Sequence, residues 1–241
     1  MAVVVVTGAS RGVGAETAVA LGARGHDVVV NYREKERRAE KVCALVREAG
    51  GRAIAVGADV TTTDGPTRLL DAAVAEFGGI DAVVLNASGG LELGADADYA
   101  MRLNRDAQVA AAQAAAERLR PGGRIVFVTS HQAHFSETHP VPAGYEPIAA
   151  SKLAGERALR ALAAEEDLDL RVVSGDMIEG TIIVRLLERR DPAAVEERRS
   201  HGPLPTVSEF AAAIAGAADS GTPPGRTVYV GGRDLVPGLQ G

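Results

Sequence analysis

Short β-branched runs alternate with longer alanine-rich amphipathic stretches along the whole chain. That alternation is the pattern of parallel strands joined by crossover helices. It predicts seven strands, at Ala2–Thr7, Asp27–Asn31, Arg52–Val56, Ile80–Asn86, Arg124–Ser130, Leu170–Ser174 and Thr227–Val230. Val3-Val4-Val5-Val6, Val28-Val29-Val30 and Ala82-Val83-Val84-Leu85 are apolar at every position, as strands are when helices cover both faces of the sheet. Gly25, Gly50-Gly51, Gly78-Gly79 and Pro121-Gly122-Gly123 fall where the helices must stop. No Ser/Pro-rich linker, charge block or repeat breaks this rhythm, so residues 1–241 read as a single doubly wound α/β domain with three layers, α/β/α. Two stretches after strands, His131–Glu146 and Gly175–Pro205, look irregular. Ligand crevices lie beyond the carboxyl ends of such strands, so these are expected to be substrate loops, with about 176–205 as a lid.

Composition narrows the class. Apolar residues make up 46% and charged residues 24% of 241, which excludes disordered, collagenous and coiled-coil chains. No apolar run approaches a membrane span, and Met1 leads into the first strand without a basic leader, so a cytoplasmic protein is expected. One cysteine, Cys43, excludes an internal disulfide framework and reads as a small buried hydrophobe. A net charge of −6 argues against nucleic-acid or anionic-membrane partners and favours a small-molecule substrate.

Thr7-Gly8-Ala9-Ser10-Arg11-Gly12-Val13-Gly14 lies between the first strand and the first helix, where a glycine-rich loop can cradle a dinucleotide pyrophosphate at a helix N-terminus. Asp59-Val60 follows strand three, Asn86-Ala87 follows strand four, and Asn104, Ser130 and Lys152 come in order. With these motifs, from the first strand to Gly231-Gly232, the chain resembles the short-chain dehydrogenase/reductase family, which implies a Rossmann fold. The resemblance implies cofactor contacts at Gly8, Ser10, Arg11, Gly12, Val13, Gly14, Asp59, Val60, Asn86, Ala87, Lys152, Gly175 and Ile178, with Asn86 near the ribose. Where the family often has N-N-A-G, this chain has Leu85-Asn86-Ala87-Ser88; Ser174 stands for a usual proline and Thr181 comes late. Strand two ends Asn31-Tyr32-Arg33 without a carboxylate for a ribose 2′-hydroxyl. Arg33 with Arg11, beside Tyr32, predicts NADP(H) over NAD(H).

The family's tyrosine and lysine are spaced Y-x-x-x-K on one helix. Lys152 matches, but Ile148 stands four residues before it and cannot transfer a proton. The nearest phenol is Tyr145, and seven residues of continuous helix would separate the pair by ~10.5 Å along the axis. Pro147 suits a first helical turn and disfavours helix at Glu146, so Tyr145 is expected to precede the helix and fold back over the site. The Y-x6-K spacing is similar to that of divergent short-chain reductases acting on enoyl thioesters. Val173-Ser174-Gly175, Asn31-Tyr32 and Gly231-Gly232-Arg233 resemble their NADPH-using branch.

The resulting expectation is an NADPH-dependent reductase. Tyr145 is the acid, Lys152 lowers the phenol pKa and holds the ribose, Ser130 fixes the substrate oxygen, and Asn104 holds a water linking the lysine to solvent. Carbonyl reduction leads; conjugated C=C reduction and a redox-inactive NADP-binding protein are the alternatives. His131, His134 and His139 share a loop, but their irregular spacing without a completing carboxylate or cysteine gives no metal site, and His134 is kept as a substitute proton donor. Small residues around the helices Asp106–Arg118 and Ala149–Ala164 predict a homodimer or homotetramer, as the family commonly forms.

Overall fold

The computed structural model describes residues 1–90, 98–219, 222–232 and 234–235. Arg233, grouped above with Gly231 and Gly232, lies outside them. In chain order the elements are β1 (Val3–Val6), α1 (Gly12–Gly22), β2 (Asp27–Tyr32), α2 (Glu36–Glu48), β3 (Arg52–Gly57), α3 (Gly65–Phe77), β4 (Ile80–Leu85) and α4 (Tyr99–Met101). A π-helical turn, Arg102–Asp106, leads into α5 (Ala107–Ala116), β5 (Leu119–Ser130), α6 (His131–His134) and α7 (Glu146–Glu165). Then come β6 (Asp169–Gly175), α8 (Ile182–Arg190), α9 (Pro192–Ser200), α10 (Val207–Ala218) and β7 (Thr227–Val230).

The strands form one parallel seven-stranded sheet in the order β3-β2-β1-β4-β5-β6-β7. The order reverses at β1, where the glycine loop leaves the sheet. Successive side chains point to opposite faces, so consecutive valines serve two cores. Val4, Val6, Val28, Val30, Val84 and Val126 pack with Leu21, Cys43 and Ile214 on one face. Val5, Val29, Val83, Leu85, Ile125 and Phe127 pack with Leu70, Ala111 and Leu159 on the other. Burial pushes the Cys43 thiol up to about 11, so it behaves as a hydrophobe.

Helix ends follow the predicted punctuation at Gly25, Gly50 and Gly78, all with positive φ. Pro121-Gly122-Gly123 differs. Helix α5 has already ended at Ala116, and these residues lie in the first part of β5, where the register against β4 shifts.

The two stretches expected to be irregular carry helices. α6 follows Ser130 directly, and Gly175–Pro205 contains α8 and α9, capped by the side chains of Thr181 and Asp191. Both helices are short; α8 turns Val184 and Leu187 inward, while α9 is mostly charged and buries Val195. The segment lies between Gly180 (φ 80°) and Gly202 (φ 137°). It packs Val184, Leu187 and Val195, with Leu204 just beyond it, onto a third apolar cluster with Tyr145, Ile148 and Met177.

Candidate active site

Strands β1 and β4 end side by side, and their turn residues lock to each other. Thr7 Oγ1 donates to Val84 O and accepts from the Asn86 and Ala87 amides at 2.9 and 3.0 Å. Asn86 Nδ2 donates to Thr7 O at 2.9 Å. The Asn86 side-chain amide is therefore turned onto the glycine loop and braces it. Asn31 Oδ1 accepts from Gly8 N at 3.1 Å while its amide donates to Ala58 O. Gly8 and Gly12 have φ of 63° and 58°, the left-handed region that favours glycine. A Cβ at Gly14 would sit 2.5 Å from Asn86 Nδ2 and 2.8 Å from Gly8 O, whereas one at Gly12 meets nothing within 4 Å. Glycine 14 thus closes the helix onto the loop, and the loop stays open beside Gly12 and the α1 N-terminus. That is the cradle a pyrophosphate needs.

At the other end of this crevice, Asp59 Oδ1 accepts from the amide and hydroxyl of Thr61, shaping the turn after β3, and Val60 is buried. Arg11 is exposed at the start of α1. Arg33 Nη1 donates to the Tyr99 hydroxyl at 2.8 Å. Tyr32 packs its ring against Gly57.

The candidate catalytic residues meet where β5 approaches α7. Tyr145 is the N-cap residue of α7, with Pro147 in the first turn. Glu146 is already the first helical residue rather than extended, because a proline in a first turn leaves no helical hydrogen bond to lose. Tyr145 is only 4% exposed, and its hydroxyl lies 3.2 Å from Ser130 Oγ. The phenol that sequence spacing put in doubt therefore reaches the strand-five serine. Ile148 is buried in the same apolar cluster.

One expectation fails here. Lys152 does not lower the phenol pKa: burial raises it above its ordinary value, with the Ser130 hydrogen bond pulling the other way. Lys152 Nζ donates instead to Val128 O at 3.3 Å, and its own burial drops the ammonium to about 8. Tyr145 precedes the helix as its N-cap residue, and each group finds its own partner on β5, the phenol at Ser130 and the ammonium at Val128 O.

Asn104 sits inside the π-helical turn. Its Nδ2 donates to Gly89 O and Ser151 Oγ, both at 3.0 Å, and its Oδ1 accepts from Gly89 N. These bonds clamp the residues after β4 to α7. A Cβ at Gly155 would lie 2.2 Å from Asn104 O, so glycine there is what lets α7 approach the turn.

The histidines serve other ends. His131 is buried, 2.8 Å from Ser174 Oγ, and burial lowers its pKa. His134 pairs with Glu156 at 2.8 Å and Tyr229 at 3.0 Å. It is committed to the α7–β7 contact, not to the Ser130–Tyr145 pair, so it does not stand as the substitute donor. Burial alone would raise Glu156, but His134 and Arg160 hold it below its ordinary value. Among the described residues no three His, Cys, Asp or Glu side chains group to hold a metal ion. Gly175 and Ile178 close the far wall, where a Gly175 Cβ would meet Phe210 and Ile178.

Sequence reasoning missed Asp176. Its fully buried carboxylate pairs with Arg198 Nε at 2.6 Å and accepts from Met177 N. Arg198 also reaches Asp234. No local pattern announces partners 22 and 36 residues apart.

Comparison with known proteins agrees with this geometry. The profile of the family described as short chain dehydrogenase matches residues 2–174. The chain is 37% identical over 185 residues to a 1-cyclohexenylcarbonyl-CoA reductase of Streptomyces collinus, covering 72% of this chain and 64% of that protein. It is 43% identical over 138 residues to a versicolorin reductase of Emericella nidulans, covering 54% of this chain and 52% of the relative. The chain thus spans about half the length of several curated relatives it matches. A short chain dehydrogenase from Burkholderia cenocepacia, solved in complex with NADP, superposes with a TM-score of 0.77 at 29% identity over 94% of this chain and 95% of that one. One from Serratia marcescens gives 0.80 at 26% identity over 95% and 96%. By the extent of the profile match and the motifs that carry it, the chain belongs to the short chain dehydrogenase family.

Proposed function

We propose that this chain is an NADP(H)-dependent oxidoreductase that reduces a carbonyl of a small organic or thioester substrate to an alcohol. The observation that carries the reading is the 3.2 Å approach of the Tyr145 hydroxyl to Ser130 Oγ, a proton donor and an oxygen-binding group side by side at the end of β5. When bound, the reduced dinucleotide supplies the hydride. Ser130 hydrogen-bonds the carbonyl oxygen, and Tyr145 gives that oxygen its proton as negative charge develops there. One C–H bond and one O–H bond form, and the C=O π bond is lost. A phenol raised by burial is protonated at neutral pH, which suits an acid in the reductive direction. Lys152 holds the ribose, and residues 176–205 form the lid over the substrate. The NADP complex of a relative 29% identical and the Arg33 at the end of β2 both favour the 2′-phosphate form. Helices α5 and α7 join two or four copies.

A second reading is reduction of a conjugated C=C in a thioester, with the phenol stabilising an enolate oxygen. The position of Tyr145 ahead of α7 and the likeness to a cyclohexenylcarbonyl-CoA reductase favour it.

The test is NADPH oxidation on a panel of ketones and a crotonyl-type thioester. Tyr145→Phe should lower kcat by roughly 10²-fold or more while NADPH still binds. Turnover of the thioester alone moves the assignment to the second reading. NADPH binding with no turnover on either panel leaves a cofactor-binding protein.

A further inference from the structure

Arg33 and Tyr99 lie 66 positions apart, yet the guanidinium Nη1 donates to the phenolic oxygen at 2.8 Å. Arg33 follows β2, and Tyr99 opens α4 beyond β4. Strand β1 lies between those two strands in the sheet, so the pair reaches across two strand spacings, roughly 9–10 Å. Arg33 also lies within electrostatic reach of Asp59, in the turn after β3.

The two partners are unequal. The Tyr99 ring packs against the apolar cluster of α3 and α5, with the Arg102 guanidinium 5.9 Å from its centroid. Arg33 is half exposed, and its other contact is the neighbouring Glu34, itself exposed. Such surface ion pairs contribute little and are easily exchanged. An untethered arginine keeps rotamer freedom that an anion must remove on binding. A hydroxyl on an anchored ring removes part of it beforehand.

We infer that Tyr99 is a positioning residue for cofactor choice: its hydroxyl holds the Arg33 guanidinium at the adenosine end, ready for a 2′-phosphate and without use for a 2′-hydroxyl. This rests on the NADP(H) reading above. Its signature is discrimination between cofactors, since loss of ring packing alone would weaken both alike.

Isothermal titration of NADPH and NADH, without substrate, tests it on the wild type, Tyr99→Phe, Arg33→Ala and the double variant. Phenylalanine keeps the ring. Tyr99→Phe should weaken NADPH about five-fold, the size of one modest hydrogen bond, with NADH within about two-fold. In the Arg33→Ala background it should cost nothing further. Equal losses for both cofactors, or a loss that persists without Arg33, overturn the inference. If Arg33→Ala weakens NADPH while Tyr99→Phe does not, only the role of Tyr99 falls. If Arg33→Ala leaves NADPH binding unchanged, the cofactor assignment at Arg33 falls with it.

Discussion

Lys152 titrates far from its ordinary value for one reason. Its ammonium is buried at 9% exposure and donates to the Val128 carbonyl, so the charged form has lost most of its water. Burial drops it from 10.5 to about 8. The sign for stability follows from proton counting. Below about pH 8 both folded and unfolded chains carry the proton, and the desolvation cost is fully present. Between about 8 and 10.5 the unfolded chain binds more, so this residue makes the protein more stable as pH rises, by about 3 kcal/mol in all. Urea unfolding of wild type and Lys152→Met from pH 7.5 to 10 checks this, on the order of 1.4 kcal/mol per unit at most. Parallel curves for the two proteins would show that the ammonium is not desolvated. The motif that carries Lys152 is readable in the chain, and so is the proline that explains Tyr145. That burial, not the lysine, governs the phenol is not readable, because it depends on Ile148, Met177 and the residues of α8 and α9 around it.

Helix α1 owes its seat on the sheet to Gly14. The atoms a side chain there would meet include Gly8 O and Ala9 Cα, which are backbone and cannot swing aside. Gly14→Ala should therefore push α1 off the loop, lowering stability by about 1–3 kcal/mol and weakening NADPH at least ten-fold. Gly12→Ala has open space and meets only the strain of its positive φ, a cost of about 1–2 kcal/mol. Thermal melts and NADPH titration of both variants discriminate the two; an unchanged Gly14→Ala protein would refute the packing role. The glycine pattern is legible in sequence because its spacing is local. The π-helical turn at Asn104 is not, since it exists to meet Gly155 and Ser151 on a helix about 50 residues later.

At the scale of the whole molecule, a buried ion pair adds to the apolar packing that seats the segment carrying α8 and α9. Asp176 follows β6 with no side-chain exposure, and Arg198 on α9 reaches it and Asp234 after β7. Arg198→Ala leaves the carboxylate buried without its cation, and removing one partner of such a pair costs about 3–5 kcal/mol. The expected result is a clearly lower melting temperature, partly restored by adding Asp176→Asn; a melt equal to wild type would contradict the latch. The chain by itself determined the alternation of strands and helices, the glycine loop and the place of Tyr145 ahead of the proline-opened helix. Periodicity, glycine conformation and the proline rule all act within a few residues. Only tertiary structure decided that the phenol rests on Ser130, that Asn86 braces the loop, that His134 belongs to Glu156 and Tyr229, and that the segment after β6 is helical and latched. Each of those pairs joins residues far apart in sequence, and a hydrogen bond or buried charge depends on where the sheet brings its partners, not on the order in which they are written.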